Sequence, residues 1–391
     1  MELKQMPPSD ETENIGSQSK QPGDAVTRVD QNWKRSLTES ISSEAFSKWY
    51  QNRQFAKNIR NGTPYFNGPS SVKSPRRHSP SQLLQCQRKI VYNQLNAPEE
   101  SANPEGIFWF GNRFEKDIIM PFLQDLIADS NTYVCNSLWV DFTINTERGE
   151  LRIKGETDPV VVDAEAQPLL PLEIKTKRSI DGLTKPNRHH KAQIHAYMRG
   201  LTKKHDYEVT DAIVLYGSRT NLDVTSFHVE FDPIFWEEVV LEWAESHTSY
   251  RLSDDLPPAD PEYAWECNVC SYRHRCGQSS EPYADISPYG LLPEYTGYPQ
   301  EKVRKYLEAH DGAVLTPTLA QQYPELASQH PVAKWQCVSC DAQFLWDEPD
   351  WDGDQSAPPL CPKCANNGTP APLRSPQPDE QYQPQEADQD E

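Results

Sequence analysis

The sequence predicts a mixed α/β domain, a mixed sheet flanked by helices, followed by a small module closed by cysteines. Two observations predict it. Helical periodicity near the start gives way to three or four strands, then a helix, two more strands and a helix, the order of a mixed α/β core. Further on, Cys337-Val-Ser-Cys340 and Cys361-Pro-Lys-Cys364 form two CxxC pairs separated by twenty residues.

Each element has its own signal. Residues 1–42 are rich in Ser, Gln, Asn, Asp and Glu with few apolar anchors, and disorder is expected there. Order is expected to begin near 43–50, with a break at Asn61-Gly62-Thr63-Pro64. Ser79-Pro80 reads as a helix start, Ser as N-cap and Pro at the first helical position. Leu83, Cys86, Ile90 and Leu95 recur at helical spacing, which turns Cys86 inward. A second helix is expected over 107–128, kinked near Pro121. Strands are expected at 132–142, 150–154, 159–163 and 169–176, a basic helix at 187–203, strands at 212–216 and 224–231, and a helix at 233–246. The stretch 253–261 reads as a linker, 278–300 as a Pro/Tyr-rich loop and 300–310 as a helix. The expected organisation is therefore a 1–42 tail, a 43–277 domain, a 278–330 connector, a 331–368 cysteine module and a disordered acidic tail, 369–391.

Composition sets outer limits. At about 150 residues per domain, 391 residues hold two to three domains. Apolar residues make up 36% (exchanging the 17 Tyr for the 17 Gly leaves this unchanged), below the ~45–50% usual for globular chains. No apolar run approaches the ~18 residues of a membrane span, and 1–30 has no signal-peptide core, so a cytoplasmic protein without membrane partners is expected. The net charge of −20 argues against a phosphate-backbone partner only if spread evenly. It is not. Residues 51–120 carry ten Lys/Arg against five Asp/Glu, and 174–205 carry nine against one, with four His besides.

The central constellation is Gly155-Glu-Thr-Asp158 followed by Glu173-Ile174-Lys175. Side chains alternate along a strand, so Glu173 and Lys175 share one face while Ile174 packs behind. If the preceding strand pairs as a hairpin, Asp158 comes beside Glu173. Two hard carboxylates then suit Mg²⁺ or Mn²⁺, and Lys175 can orient or deprotonate water and offset phosphate charge. Gly111 and Glu115 lie i, i+4 on the preceding helix, where Gly would permit close approach and Glu115 adds a carboxylate. Gln193 and Tyr197 lie i, i+4 on the following helix.

In this order the motifs resemble the RecB-like branch of the PD-(D/E)XK nucleases, whose αβββαβ core carries Gly-x3-His (or an acid), Asp, Glu-x-Lys and Gln-x3-Tyr. The resemblance spans residues 79–277. It implies Glu115, Asp158, Glu173 and the Ile174 carbonyl as metal ligands, Lys175 as the catalytic lysine, and Gln193 and Tyr197 as active-site supports. Glu115 stands where the family usually has His.

The nine cysteines of a chain read as intracellular point to metal before disulfide. Cys267-x2-Cys270-x5-Cys276 offers three thiolates in a tight loop, and inward-facing Cys86 is the candidate fourth; four thiolates could bind an iron–sulfur cluster or Zn²⁺. His274 is a spare donor, and Cys135 reads as packing. The early Ser-Pro-Ser-x4-Cys-x-Arg with a later Cys triplet looks like the iron-staple nucleases, the AddB-type and CRISPR-associated RecB-like exonucleases, which implies [4Fe–4S]. Cys337, Cys340, Cys361 and Cys364 have zinc-ribbon spacing.

The expectation is a deoxyribonuclease trimming single-stranded DNA ends, in CRISPR spacer acquisition or in repair and recombination, with proteins of those systems as partners. The stretches 76–89 and 175–204 would track the DNA backbone. The rival is a non-catalytic nucleic-acid-binding or assembly protein keeping the fold and both metal sites; intact Asp158, Glu173 and Lys175 argue against it.

Overall fold

A computed structural model describes residues 72–382, except 102–104, 129–130, 281–282, 284–286 and 352–356, and eleven residues between 40 and 53. The tails expected to be disordered lie outside the described residues over 1–39 and 383–391. Contacts divide the chain into two compact units, Met1–Asn67 and Gly68–Glu391. In the first, the described residues are largely helical, with Phe46 against Trp49 and Tyr50 at ring distances of 5.8 and 6.2 Å.

The second unit begins with β1 (Arg77–His78), a 3-10 turn (Pro80–Gln82) and α1 (Gln87–Gln94). Cys86 is the N-cap residue of α1 rather than a member of a helix begun at Ser79, because the 3-10 turn breaks at Leu83 and Leu84 takes φ +59°. Helix α2 spans 105–126 as Glu105–Arg113, a π turn Phe114–Ile119 and Met120–Leu126. The expected kink at Pro121 is replaced by this π turn. In an α-helix the Pro121 ring would clash with the Asp117 carbonyl, and the wider turn contains that residue.

Strands β2 (Thr132–Cys135), β3 (Trp139–Thr146), β4 (Gly149–Glu156), β5 (Val160–Asp163) and β6 (Pro168–Lys177) follow, then α3 (Arg188–His205), β7 (Asp211–Ser218) and β8 (Val224–Glu230). The single strand expected over 132–142 is two strands in different sheets. β2 belongs to a five-stranded mixed sheet ordered β2-β5-β6-β7-β8, and β3 to a three-stranded sheet ordered β1-β4-β3. Thr157 locks the corner: its N–H donates to the Leu138 carbonyl at 2.9 Å and its hydroxyl accepts from Leu138 N–H at 2.9 Å. Asp158 follows it directly. The β6 and β7 strands are parallel, joined by α3 as a crossover.

Residues 192–198 of α3 are all buried, since the helix packs against β3, β6, β7 and the 3-10 turn. On the opposite face of the five-stranded sheet, Phe114, Ile119 and Leu123 of α2 cover Leu172, Ile174 and Leu215. The helix α4 that closes this core spans 233–253 with an internal π turn, Trp236–Leu241.

The connector expected at 278–330 is a second core. Leu291, Leu292, Tyr298 and the helices α5 (Gln300–Ala309), α6 (Pro317–Gln322) and α7 (Pro324–Ala327) enclose it. Its tyrosines can be buried because each hydroxyl is bonded: Tyr323 donates to the Tyr298 carbonyl at 2.7 Å, and Tyr306 accepts from Gly290 N–H at 2.7 Å. The cysteine module holds β9 (Trp335–Cys337), β10 (Gln343–Phe344), α8 (Pro362–Asn366) and β11 (Leu373–Arg374). Its third strand comes from the segment expected to be a tail, so 369–382 is ordered: Arg374 pairs with Gln336, and buried Gln381 exchanges hydrogen bonds with the Leu291 backbone at 2.6 and 2.7 Å.

Gly217 on β7 fixes the seat of α2. A Cβ there would stand 2.1 Å from the Phe114 ring. Gly217→Ala should cost about 1–3 kcal/mol in urea unfolding, the usual penalty of overpacking. Combined with Phe114→Leu it should cost less than the sum of the two single changes, because the smaller side chain vacates the clash; strict additivity would remove the contact as the cause.

Candidate active site and cysteine centres

Glu173 lies mid-way along β6 and is 0% exposed. Alternation puts Glu173 and Lys175 on the α3 face and Ile174 in the α2 cluster behind, as the Glu-x-Lys spacing predicts. Lys175 Nζ forms an ion pair with Glu173 Oε1. Asp158 arrives from the sheet-switching corner, and its Oδ2 accepts from Ile174 N–H at 2.8 Å, so the expected Asp158–Glu173 neighbourhood forms through the antiparallel β5–β6 pair. On α3, Gln193 Nε2 donates to the Tyr197 hydroxyl at 2.7 Å, and that hydroxyl in turn bears on Glu173. Glu115 faces the cluster from α2, close enough that Asp158, Lys175 and Glu156 act on its charge.

The electrostatics follow from burial. Desolvation, joined by the Asp158 charge, pushes Glu173 up to about 8 despite Lys175 and Tyr197. Glu115 is raised to about 7 by burial and then by Asp158, and burial also raises Asp158. Burial alone would lower Lys175, but Glu173 and Asp158 outweigh it and hold the side chain as an ammonium. As an ammonium, Lys175 can donate to and orient a water in the metal-free site. Burial, then Glu173, raises Tyr197 well above the ordinary phenol range. Apart from the Lys175 and Tyr197 contacts, the Glu173 oxygens are buried without hydrogen-bond donors. Three carboxylates with so little compensation suit a divalent cation.

Two positions differ from expectation. A Cβ on Gly111 would meet only Thr176 Oγ1 at 4.0 Å, so close approach does not require glycine there. Glu156, at the end of β4, joins the electrostatic cluster unforeseen, because the fall of β4 toward the corner is legible only once the strands are paired. Of the basic stretches, Arg88 donates to the Pro257 carbonyl at 2.6 Å, and Lys203 and Lys204 to β3 carbonyls at 2.6 and 2.9 Å.

Cys86, Cys267, Cys270 and Cys276 line one cavity of about 280 Å³, with Lys89, Tyr92, His189 and Tyr272 around them. Beside it, two hydrogen bonds join the α1 region to later segments: Gln87 N–H donates to Asp260 at 3.0 Å, and Trp243 Nε1 to the Gln85 carbonyl at 3.1 Å. Burial pushes the Cys276 thiol up to about 11, and burial raises Cys86 and Cys270 too. His274 turns away, its ring 4.8 Å from that of Tyr295. Cys135 packs against the main core, as expected.

Cys337, Cys340, Cys361 and Cys364 converge with all four sulfurs within 4.8 Å, Cys337–Cys364 at 3.7 Å and Cys340–Cys361 at 3.8 Å. Sulfurs ~2.3 Å from one ion form a tetrahedron with edges of about 3.8 Å. The group could hold a metal such as zinc or an iron–sulfur cluster. Backbone N–H groups of Ser339 and Cys364 point at Cys337 and Cys361 sulfurs at 3.4 Å. The only other such group of three among the described residues is Asp211, His228 and Glu230, outside the main core on β7 and β8.

No family model and no curated protein matches the chain. Among solved structures it is similar to one titled "Crystal structure of SSO0001", 20% identical over 52% of this chain and 86% of that one, with a TM-score of 0.34. A likeness this distant carries no argument. No helix among the described residues is long and apolar enough to cross a membrane.

The raised carboxylates have a consequence for stability. A group whose folded pKa exceeds its ordinary value binds an extra proton when folded, so its contribution falls as pH rises from about 4.5 to about 8. Divalent binding needs the ionised form and reverses this. The melting temperature of metal-free protein should fall between pH 6 and pH 8, and the gain on adding Mn²⁺ should grow over the same window. Glu173→Gln should flatten both, and an unchanged Mn²⁺ gain in that variant would place the ion elsewhere.

Proposed function

We propose that this chain is a metal-dependent deoxyribonuclease of the RecB-like PD-(D/E)XK type. The observation that carries the reading is the fully buried Glu173, ion-paired with Lys175, beside Asp158 and backed by Gln193–Tyr197. Burying a carboxylate on this scale costs stability, which suits a site kept for chemistry. Asp158, Glu173, Glu115 and the Ile174 carbonyl would hold Mg²⁺ or Mn²⁺, which supplies Lewis-acid activation of a phosphodiester and of the attacking water. Lys175 orients that water and offsets charge on the phosphate. Gln193 and Tyr197 fix the Glu173 side chain. The resemblance extends the reading to single-stranded DNA ends, in spacer acquisition or in repair.

Cys86, Cys267, Cys270 and Cys276 would hold a [4Fe–4S] cluster, supported by their shared cavity. Cys337, Cys340, Cys361 and Cys364 would hold zinc, supported by their tetrahedral edges.

Purified full-length protein should cleave end-labelled single-stranded DNA with Mn²⁺ or Mg²⁺. Lys175→Ala and Glu173→Ala should each lower the rate by at least about a hundredfold while binding stays near wild type; full activity in the Lys175→Ala protein would refute the site. Metal analysis separates the cysteine centres. Cys86→Ala should lose iron and lower the melting temperature, since a link across about 180 residues is worth roughly 4–5 kcal/mol on loop-entropy grounds. Cys340→Ala should lose zinc, keep iron and still cleave a short oligonucleotide. Iron retained in full by Cys86→Ala would end the staple reading.

A further inference from the structure

The first turn of α3 carries a network that the proposed chemistry leaves unused. Tyr216 is the cross-strand partner of Lys175 and is 0% exposed. Its hydroxyl meets the Asn187 backbone N–H at 2.9 Å and His190 Nδ1 at 2.8 Å. The N–H can only donate, so the phenol oxygen accepts there. Its own proton must then go to His190 Nδ1, because any other arrangement leaves it buried without an acceptor. A neutral imidazole with a bare Nδ1 carries its proton on Nε2.

Desolvation lowers the His190 pKa, and His189, Lys175 and Lys177 lower it further, so the neutral form persists. Only 8% of His190 is exposed, and its Nε2 has no acceptor among the described residues. Lys177 stands on the same network, donating to Asn187 Oδ1 at 3.1 Å with its ammonium 5.0 Å from the Tyr216 ring. Because Asn187 is engaged in this way, its side chain does not cap α3, and the positive end of the eighteen-residue helix faces the same place. Glu262 borders the same place, 3.4 Å from His189 Nδ1, whose ring lies 4.0 Å from that of His190, and its charge also acts on Lys177.

We infer that His190 Nε2–H and the Lys177 ammonium form a phosphate-binding site at the edge of the carboxylate cluster. Its ligand is a non-bridging phosphodiester oxygen of the bound strand. The inference rests on the nuclease reading for its substrate, while the tautomer and the anion site stand on geometry alone. Tyr216 is a positioning residue here, acting through His190.

Protein labelled with ¹⁵N-histidine, observed by NMR and titrated with inorganic phosphate, tests it without any cleavage assay. His190 should show the Nε2–H tautomer and shift on phosphate addition, and Tyr216→Phe should remove the tautomer preference. In steady-state cleavage, His190→Phe should raise KM about tenfold with kcat within about threefold, the loss of one hydrogen bond to a charged group. His190→Gln, which keeps an N–H donor, should recover part of that. An Nδ1–H tautomer, a His190 signal indifferent to phosphate, or a wild-type KM in His190→Phe would each overturn the site. Absence of cleavage in wild-type protein would instead sink the nuclease reading and leave the NMR result to decide the anion site.

Discussion

One constraint organises the α/β part of the molecule: a carboxylate, Glu173, sits fully buried in the middle of a five-stranded sheet. Such a group is tolerable only if its neighbours are charged or hydrogen-bonding and held in place. Lys175 supplies the charge from the same strand, and Tyr197 supplies a hydroxyl whose oxygen is itself held by Gln193. The helix bearing those two residues is enclosed on several sides, so neither side chain can drift. The fold's central helix is thereby also the scaffold of the site.

The second dependency is the corner at Thr157. The chain crosses from the three-stranded to the five-stranded sheet there, and Thr157 fixes the crossing with two hydrogen bonds to Leu138. Asp158 inherits its position from that corner, and the Ile174 N–H then orients its carboxylate. From the other layer, Gly217 admits the Phe114 ring and so seats the π turn that contains Glu115. A π turn at this place spends regular hydrogen bonding to aim a side chain, which is where such turns are commonly found.

These dependencies explain what the sequence revealed. The Glu-x-Lys pair was legible because strand alternation is a strict period of two, and Gln193 and Tyr197 because helical spacing is nearly as strict. The four cysteines of the ribbon needed only their spacing. The corner was not legible: residues 132–142 read as one strand because Asn136-Ser137-Leu138 carries no Gly or Pro, and tertiary hydrogen bonds make the break. The second core was hidden by composition. Its Pro and Tyr residues look like a loop until each phenol is seen to have a partner, such as Tyr306 with Gly290. The Tyr216–His190 contact joins residues twenty-six apart through a parallel crossover, a relation that no local period encodes.

The second core is in turn bound to the cysteine loop, which makes the chain's latter part more than an appendage. Glu100 accepts from the His274 and Arg275 backbone N–H groups at 2.7 and 2.8 Å, fastening the early chain to the loop. Arg275, fully buried, reaches the other way and donates to the Ser287 and Gly290 carbonyls, and Lys302 of α5 pairs with Glu99. A guanidinium without solvent tolerates little displacement, since each lost carbonyl would leave a buried donor unsatisfied. Cys276 is the next residue after Arg275, and His189, on the same cavity wall, lies beside His190. The cysteine cavity therefore touches the second core through Arg275 and the first turn of α3 through His189.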